Sequence, residues 1–176
     1  MILPSKRALF LTGPPGVGKT TIIREALARA GASAGGFYTE EIRSGGVRQG
    51  FRIITLDGQS AVLAHIDSTG RHRVSKYGVN PDGLEGVGVA AIRHAIQGAA
   101  VVVIDEVGKM ELFSASFREV VTEALASGKK VLGTVMLVPH PWADALKRHP
   151  GVEVLMVTRA NRDQVAERVR RWLESI

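Results

Sequence analysis

Cysteine is absent from the 176 residues, and aromatic residues make up only 5% of them. The lack of cysteine excludes disulfide bonds, thiolate metal ligands and a cysteine nucleophile. No hydrophobic run approaches the ~20 residues needed to cross a bilayer, and the first residues lack the apolar stretch of a secretory signal. The sequence therefore predicts a cytoplasmic protein with no membrane attachment.

The composition is otherwise that of a globular protein, with 45% hydrophobic and 23% charged residues. A chain of this length predicts a single domain over residues 1–176. The 23 lysines and arginines exceed the 17 acidic residues, which favours anionic partners. Six of these basic residues lie between Arg43 and Lys76, where solvated arginines are as good an explanation as an anion-binding surface.

The first half of the chain predicts a strand, a glycine-rich turn and a helix, followed by an antiparallel segment. A buried strand at 8–11 leads into a turn, and apolar residues recur at helical spacing over 19–30. Ser44, Gly45 and Gly46 are typical of a tight turn between two strands. We therefore expect an inserted antiparallel hairpin region over about 35–66.

The second half predicts an α/β fold with a mostly parallel central sheet and helices on both faces, because strands and helices alternate. A helix is expected to open at Ser116, which has capping-box spacing to Glu119, and to close at Gly128. The expected strands are 101–104, 131–135 and 152–157, and further helices are expected at about 84–97 and 162–173.

A phosphate-binding motif follows the first strand and precedes the first helix. It reads Gly13-Pro14-Pro15-Gly16-Val17-Gly18-Lys19-Thr20, which matches G-x-x-x-x-G-K-[ST] in the context that gives the pattern its meaning. The glycines let backbone N–H groups face phosphate oxygens at the positive end of a helix. Lys19 is expected to reach the β and γ phosphates, and the Thr20 hydroxyl is expected to bind Mg²⁺.

Two acids follow the buried strand Val101-Val102-Val103-Ile104. We expect them at the carboxyl edge of the sheet, beside the phosphate loop of the first strand. Asp105 is predicted to hold Mg²⁺, and Glu106 is predicted to polarise the water that attacks the γ phosphate. Solvated acids that merely end a strand are the alternative.

Other polar residues leave two interpretations open. Lys109 either offsets charge on the γ phosphate or binds local carbonyls and Glu111. Three residues follow the last expected strand, namely Arg159, Asn161 and Arg162. They either contact a base or a phosphate, or Asn161 caps a helix and the two arginines lie in solvent. His140 either forms a turn with Pro141 or senses the γ phosphate or orients water at the sheet edge. Phe37 and Tyr38 either pack in the core, which is the commoner role, or stack on a base.

The sequence resembles the thermostable and cancer-related nucleoside-triphosphatase family over nearly its whole length. The segments that carry this resemblance are the phosphate-binding motif, 35–41, 50–54, 77–80, 161–163 and Ile104-Asp105-Glu106-Val107-Gly108-Lys109-Met110-Glu111-Leu112-Phe113. The polar stretch 68–73 does not match this family clearly, so the roles of Arg71 and Arg73 stay open.

The resemblance implies a RecA-like P-loop domain that hydrolyses ATP, GTP, CTP, UTP and TTP to diphosphates with Mg²⁺ and broad base specificity. Diphosphates are expected to be weaker substrates. The family's nucleotide-binding stretches fall on 13–20 and 101–108, and Glu106 takes the place of its catalytic acid. The expected partners are nucleoside triphosphates, and the expected state is a monomer.

Two alternative functions stay open from the residues alone. In a nucleotide or small-molecule kinase, the basic stretch 71–76 would close over the acceptor. In a nucleotide-switched module, the basic hairpin within the region from Arg43 to Lys76 would contact nucleic-acid phosphates. Nucleic acid is the less favoured partner, because no basic motif interleaved with aromatic residues is present.

Overall fold

The computed structural model of the chain describes residues 6–175. Its strands are β1 Ala8–Thr12, β2 Ala34–Ser44, β3 Val47–Thr55, β4 Ser60–His65, β5 Arg73–Val74, β6 Tyr77–Val79, β7 Val101–Val107, β8 Lys130–Val135 and β9 Val152–Met156. They form one sheet in the order β5-β6-β4-β3-β2-β7-β8-β1-β9. The neighbours from β2 to β9 pair in parallel, and the strands beyond β2 pair antiparallel.

Helices cover both faces of the parallel part of the sheet, as the alternation of elements predicts. The helices are α1 Lys19–Ala30, α2 Pro81–Gly83, α3 Ala90–Gly98, α4 Ala115–Ala126, α5 Pro141–Lys147 and α6 Arg162–Glu174. Leu9 and Leu11 of β1 pack with α1 and α6, whereas Ala8 and Phe10 face the cluster that contains residues of α3, α4 and α5. Successive side chains of a strand point to opposite faces, so each strand contributes to two cores. None of the helices within 6–175 has the length and apolar character to cross a membrane.

The antiparallel segment extends the same sheet. The turn between β2 and β3 is made by Gly45 and Gly46, whose φ angles are 56° and 78°, the left-handed conformation that a two-residue hairpin turn requires. One edge of β2 pairs with β3, and its other edge pairs in parallel with β7. The short strands β5 and β6 were not predicted, because the polar stretch that contains β5 has no strand periodicity.

Two predicted helix starts are wrong. The helix expected at 84 begins three residues earlier, where Asn80 caps α2, and continues through a π-helical segment, Leu84–Val89, into α3. The helix expected from Ser116 to Gly128 is α4, whose cap is Ser114: its Oγ accepts a hydrogen bond from the Phe117 N–H at 3.1 Å. The cap at Ser114 satisfies an N–H of the first turn, so Ser116 lies inside the helix.

The strand of Asp105 and the strand of the phosphate loop are not adjacent in the sheet. Strand β8 lies between β7 and β1 and pairs in parallel with both. The carboxyl ends of all three strands nevertheless lie at the same edge of the sheet, because the strands run parallel. The two predicted halves of the site therefore meet across β8.

Candidate active site

The phosphate-binding motif forms the loop between β1 and α1. Gly13, Gly16 and Gly18 have φ angles of 152°, 76° and 102°. At Gly13 a Cβ would lie 2.5 Å from the Val157 carbonyl oxygen, so the loop passes too close to β9 for a side chain. Helix α1 begins directly after Gly18, and no side chain caps its first turn. The free N–H groups and the helix dipole make this loop suitable for binding an anion.

Lys19 lies over this loop. Its Nζ donates hydrogen bonds to the carbonyl oxygens of Gly13 at 2.6 Å and Pro14 at 3.2 Å. Both acceptors are neutral carbonyl oxygens, and no acid of residues 6–175 forms an ion pair with Lys19. The loop therefore combines a side-chain cation with the positive end of a helix.

Asp105 on β7 is buried between the neighbouring strands β2 and β8, with 4% of its surface exposed. Thr20 Oγ1 donates to one carboxylate oxygen at 2.6 Å, and Thr134 Oγ1 on β8 donates to the other at 2.7 Å. The Thr39 hydroxyl on β2 donates to the Asp105 carbonyl oxygen at 2.7 Å. Hydrogen bonds from three elements, α1, β8 and β2, thus hold Asp105 next to the phosphate loop.

A bulge in β7 places Asp105 and Glu106 together at this edge. Ile104 pairs with Gly133, but Val107 pairs with Val135, so three steps along β7 correspond to two along β8. Bulges of this kind redirect side chains. Ile104 and Val107 both face the same core cluster, and the two acids occupy the irregular positions between them.

Burial controls the protonation of both acids. Desolvation raises the pKa of Asp105, against the hydrogen bonds from Thr20 and Thr134 and the positive charge of Lys19. Desolvation also raises the pKa of Glu106, and the nearby negative charge of Asp105 raises it further. A carboxylate with a raised pKa is a stronger base, which suits Glu106 for accepting a proton from water.

The pair of Thr20 and Asp105 fits a hard divalent cation. A hydroxyl and a carboxylate oxygen 2.6 Å apart are the oxygen donors that Mg²⁺ prefers, and Mg²⁺ commonly uses one or two protein ligands together with phosphate oxygens. Within residues 6–175, no group of three or more histidines and acids could hold a metal. The protein therefore offers only part of a coordination sphere at this edge.

Three other predicted candidates have different surroundings. Lys109 is exposed and has no ion-pair partner in the described part of the chain. His140 caps α5 by accepting a hydrogen bond from the Trp142 N–H at 3.2 Å, which is the turn-forming role. Phe37 is fully buried, which is the core-packing alternative.

Tyr38 and Arg162 lie closer to the site. Tyr38 is half-buried, and the Arg24 guanidinium carbon lies 4.9 Å from its ring centroid. The guanidinium of Arg162 packs on the phosphate loop, with its Cζ 3.0 Å from where a Cβ of Gly18 would be. Asn161 precedes α6 but bonds to Thr158 N–H and the Met156 carbonyl instead of capping the helix.

The basic stretch 68–76 is held by its own backbone. Arg73 donates to the carbonyl oxygens of Ser68 at 3.2 Å and Lys76 at 2.9 Å, so its guanidinium stabilises the turn before β6. The His72 ring stacks on Phe113 with 4.5 Å between centroids. This loop therefore packs against the segment that follows β7, and Arg73 has a structural role in it.

Thr39, Thr134 and Glu111 also lie next to the site, and the sequence alone does not predict them there. Thr134 lies near the end of a predicted strand. Its place in the site follows only once β8 is known to lie between β7 and β1. Glu111 was noted only as a possible partner of Lys109. Its carboxylate is buried and accepts a hydrogen bond from the Gly108 N–H, which no periodicity in the sequence indicates.

These features define a class of protein. A glycine-rich loop that opens a helix, with a buried acid from a parallel strand bonded to the loop threonine, is the arrangement of P-loop nucleoside triphosphatases. In this class the substrate is a nucleotide with a divalent cation.

Comparison with known proteins identifies the family. A family model described as NTPase matches residues 8–170. The nucleoside-triphosphatase THEP1 of Thermotoga petrophila is 43% identical, over 92% of this chain and 89% of its own length. The cancer-related nucleoside-triphosphatase homolog of Bos taurus is 39% identical, over 96% and 97% of the two chains. The chain belongs to this family of nucleoside triphosphatases, as its resemblance predicts.

Two solved structures have the same fold. The crystal structure of THEP1 from Aquifex aeolicus matches with a TM-score of 0.87 at 36% identity, covering 96% of this chain and 99% of that one. The solution structure of a human cancer-related nucleoside triphosphatase matches with a TM-score of 0.79 at 37% identity, covering 93% and 95%. The predicted α/β P-loop fold and the predicted class of enzyme are confirmed.

Proposed function

We propose that this nucleoside triphosphatase hydrolyses ATP, GTP, CTP, UTP and TTP to the diphosphate and phosphate, with Mg²⁺ and little base preference. Diphosphates are weaker substrates. The observation that carries the proposal is the buried Asp105 carboxylate, bonded to Thr20 of the phosphate loop and followed directly by Glu106. The enzyme acts as a cytoplasmic monomer whose single domain spans 1–176, with an antiparallel insertion at about 35–66.

Each residue of the site has a separate task in this reaction. The N–H groups of 13–20 and the Lys19 ammonium bind the phosphates, while the strand segment 101–108 delivers the acids. Thr20 and Asp105 hold Mg²⁺, which supplies charge neutralisation on the transferred phosphoryl group. Glu106 orients water in line with the γ phosphate and accepts its proton. Lys109 offsets negative charge that develops on the γ phosphate.

A phosphate-release assay with each of the five nucleotides tests this function. The variant Glu106→Gln keeps the shape of the side chain but removes the base, so we expect kcat to fall by about 10²- to 10⁴-fold while nucleotide affinity is preserved. The matched control is Glu119→Gln, which neutralises an exposed glutamate of α4. Lys19→Ala is expected to weaken nucleotide binding, and EDTA is expected to stop phosphate release.

Three results would contradict the proposal. Wild-type turnover by Glu106→Gln would remove Glu106 from the reaction. Tight nucleotide binding without phosphate release would indicate a kinase whose acceptor is missing. Release that occurs only when RNA is added would indicate a module switched by nucleic acid.

A further inference from the structure

Glu111 is a buried carboxyl group for which the reaction above has no use. It has 3% of its surface exposed, and Asp105 is the other acid buried to this degree within 6–175. No lysine, arginine or histidine of the described residues forms an ion pair with it. Burying a carboxyl group is costly unless its polar atoms are satisfied, so its contacts require an explanation.

The contacts of Glu111 close the turn that follows β7. Its Oε2 accepts a hydrogen bond from the Gly108 N–H at 3.1 Å. In the opposite direction, the Leu112 N–H donates to the Gly108 carbonyl oxygen at 3.0 Å. Arg118 of α4 donates to the Leu112 carbonyl oxygen at 2.5 Å. Gly108 is therefore held from both of its peptide groups, two residues after Glu106.

The side chains of Glu106 and Glu111 meet at Gly108. A Cβ on Gly108 would lie 2.7 Å from Glu106 Oε1 and 2.8 Å from Glu111 Oε2. Both carboxyl groups therefore occupy the space on the same side of this residue, and a glycine is required for them to do so. The carboxyl groups of Glu106 and Glu111 are therefore neighbours at this turn.

We propose that Glu111 is a positioning residue for Glu106: it locks the turn at Gly108 and supports the Glu106 carboxylate from the side facing the interior. This inference rests on the proposed function, in which Glu106 is the base. Glu111 does not touch the substrate in this role. It keeps the Glu106 carboxylate in the orientation that water attack requires.

The charge state of Glu111 is consistent with this role. Complete burial raises the pKa of Glu111 well above its usual value, and the neighbouring charges of Glu106 and Asp105 raise it further. A neutral carboxyl group accepts from the Gly108 N–H through one oxygen and retains an O–H donor. A glutamine offers the same two functions at the same length.

A series of substitutions at position 111 separates positioning from stability. Glu111→Leu fills a similar volume without polar atoms, so we expect kcat to fall by about 10- to 100-fold, as small misplacements of a catalytic group can cause, with KM within about 3-fold. Glu111→Gln is expected to retain kcat within about 3-fold, because it can replace a neutral carboxyl group. The control is Ser114→Ala in the same buried segment, which is expected to lower stability without changing kcat.

The outcomes distinguish this inference from the function on which it rests. Wild-type kcat in Glu111→Leu would overturn the inference, and so would an equal loss in Glu111→Gln and Glu111→Leu, since that would mean a required charge. If Glu111→Leu does not fold, Glu111→Asp withdraws the carboxyl group by one methylene and should show the same loss of kcat. Glu106→Gln is measured in parallel: if it is active, the proposed function itself fails.

Discussion

At the scale of single residues, the site depends on hydroxyl groups that make a buried charge tolerable. Asp105 has no cation bonded to it in the described residues, yet each of its carboxylate oxygens accepts a threonine hydroxyl. Hydrogen bonds to a charged group are stronger than those between neutral groups. They keep the carboxylate in place at the edge of the sheet beside the phosphate loop.

Arg162 is the residue for which we expect a specific effect on substrate binding. Its guanidinium lies against Gly18 of the phosphate loop, and it forms no ion pair within 6–175. Hydrogen bonds to charged groups contribute about 1.5–3 kcal/mol, so Arg162→Ala should raise KM for every nucleotide about 10- to 150-fold and leave kcat nearly unchanged. Steady-state kinetics with ATP and CTP measure both constants.

The matched control for this prediction is Arg159→Ala, which removes the same charge from an exposed position three residues earlier. It should change KM less than about 2-fold, because unpaired surface charges contribute little. Equal effects of the two substitutions would show that only the net charge of the loop matters.

The part of the site that could be predicted from the sequence is the part that is contiguous in the chain. The spacing of Gly13, Lys19 and Thr20 is dictated by the loop itself. Two acids after a buried strand indicate the acidic side of the site, which faces that loop. Thr134 and Glu111 could not be predicted in the same way, because their roles depend on contacts across strands and on a turn. Whether a polar side chain is buried is decided by packing, which local patterns do not encode.

At the scale of secondary structure, the start of α4 gives a direct comparison between prediction and structure. Ser114 Oγ accepts from the Phe117 N–H and donates to Glu85 at 2.7 Å. Removing a serine cap costs about 0.5–2 kcal/mol, and 1 kcal/mol lowers Tm by about 2–4 °C in a chain of this size. We therefore expect Ser114→Ala to lower Tm by several degrees in a thermal unfolding experiment monitored by circular dichroism.

Ser116→Ala is the control, since the sequence alone predicts this serine as the cap. In the structure it lies inside the first turn of α4, where alanine is the better helix former. Its Tm should be unchanged or slightly higher. A larger loss in Ser116→Ala than in Ser114→Ala would contradict the observed helix boundary.

The order of the strands is the main feature of the fold that could not be predicted. Strands β1, β7 and β8 are all short apolar runs with similar composition, so nothing in them indicates which one is central. The central position of β8 depends on the helical connections around it, and it determines that Thr134 reaches Asp105. Apart from the short strands β5 and β6, the existence of the long helices and strands follows from hydrophobic periodicity and from glycine and proline positions.

At the scale of the whole molecule, the buried acids link the stability of the fold to pH. Asp105, Glu106 and Glu111 all have raised pKa values, and burial is the largest cause in each case. Glutamate in an unfolded chain has a pKa of about 4.3. Between that pH and the higher native pKa, the folded protein therefore keeps protons that the unfolded chain has released. Each such acid stabilises the fold fully below that pH, and this contribution is lost as the pH rises toward the native pKa. The functional edge of the sheet is thus destabilising at neutral pH.

Glu111→Gln tests this linkage for one group. At about pH 4 the Glu111 carboxyl group is neutral in the folded protein and mostly neutral in the unfolded chain, so the Tm values of wild type and variant should nearly agree. As the pH rises, only wild type must either ionise in the interior or take up a proton from solution on folding, so the variant should become more stable by several degrees at pH 8. Thermal unfolding at a series of pH values between 4 and 9 measures the difference.

Glu119→Gln, on the exposed surface of α4, should show a difference that hardly changes with pH. A Glu111→Gln variant that is less stable than wild type at pH 8 would mean that Glu111 is ionised and stabilised by its surroundings in the native protein.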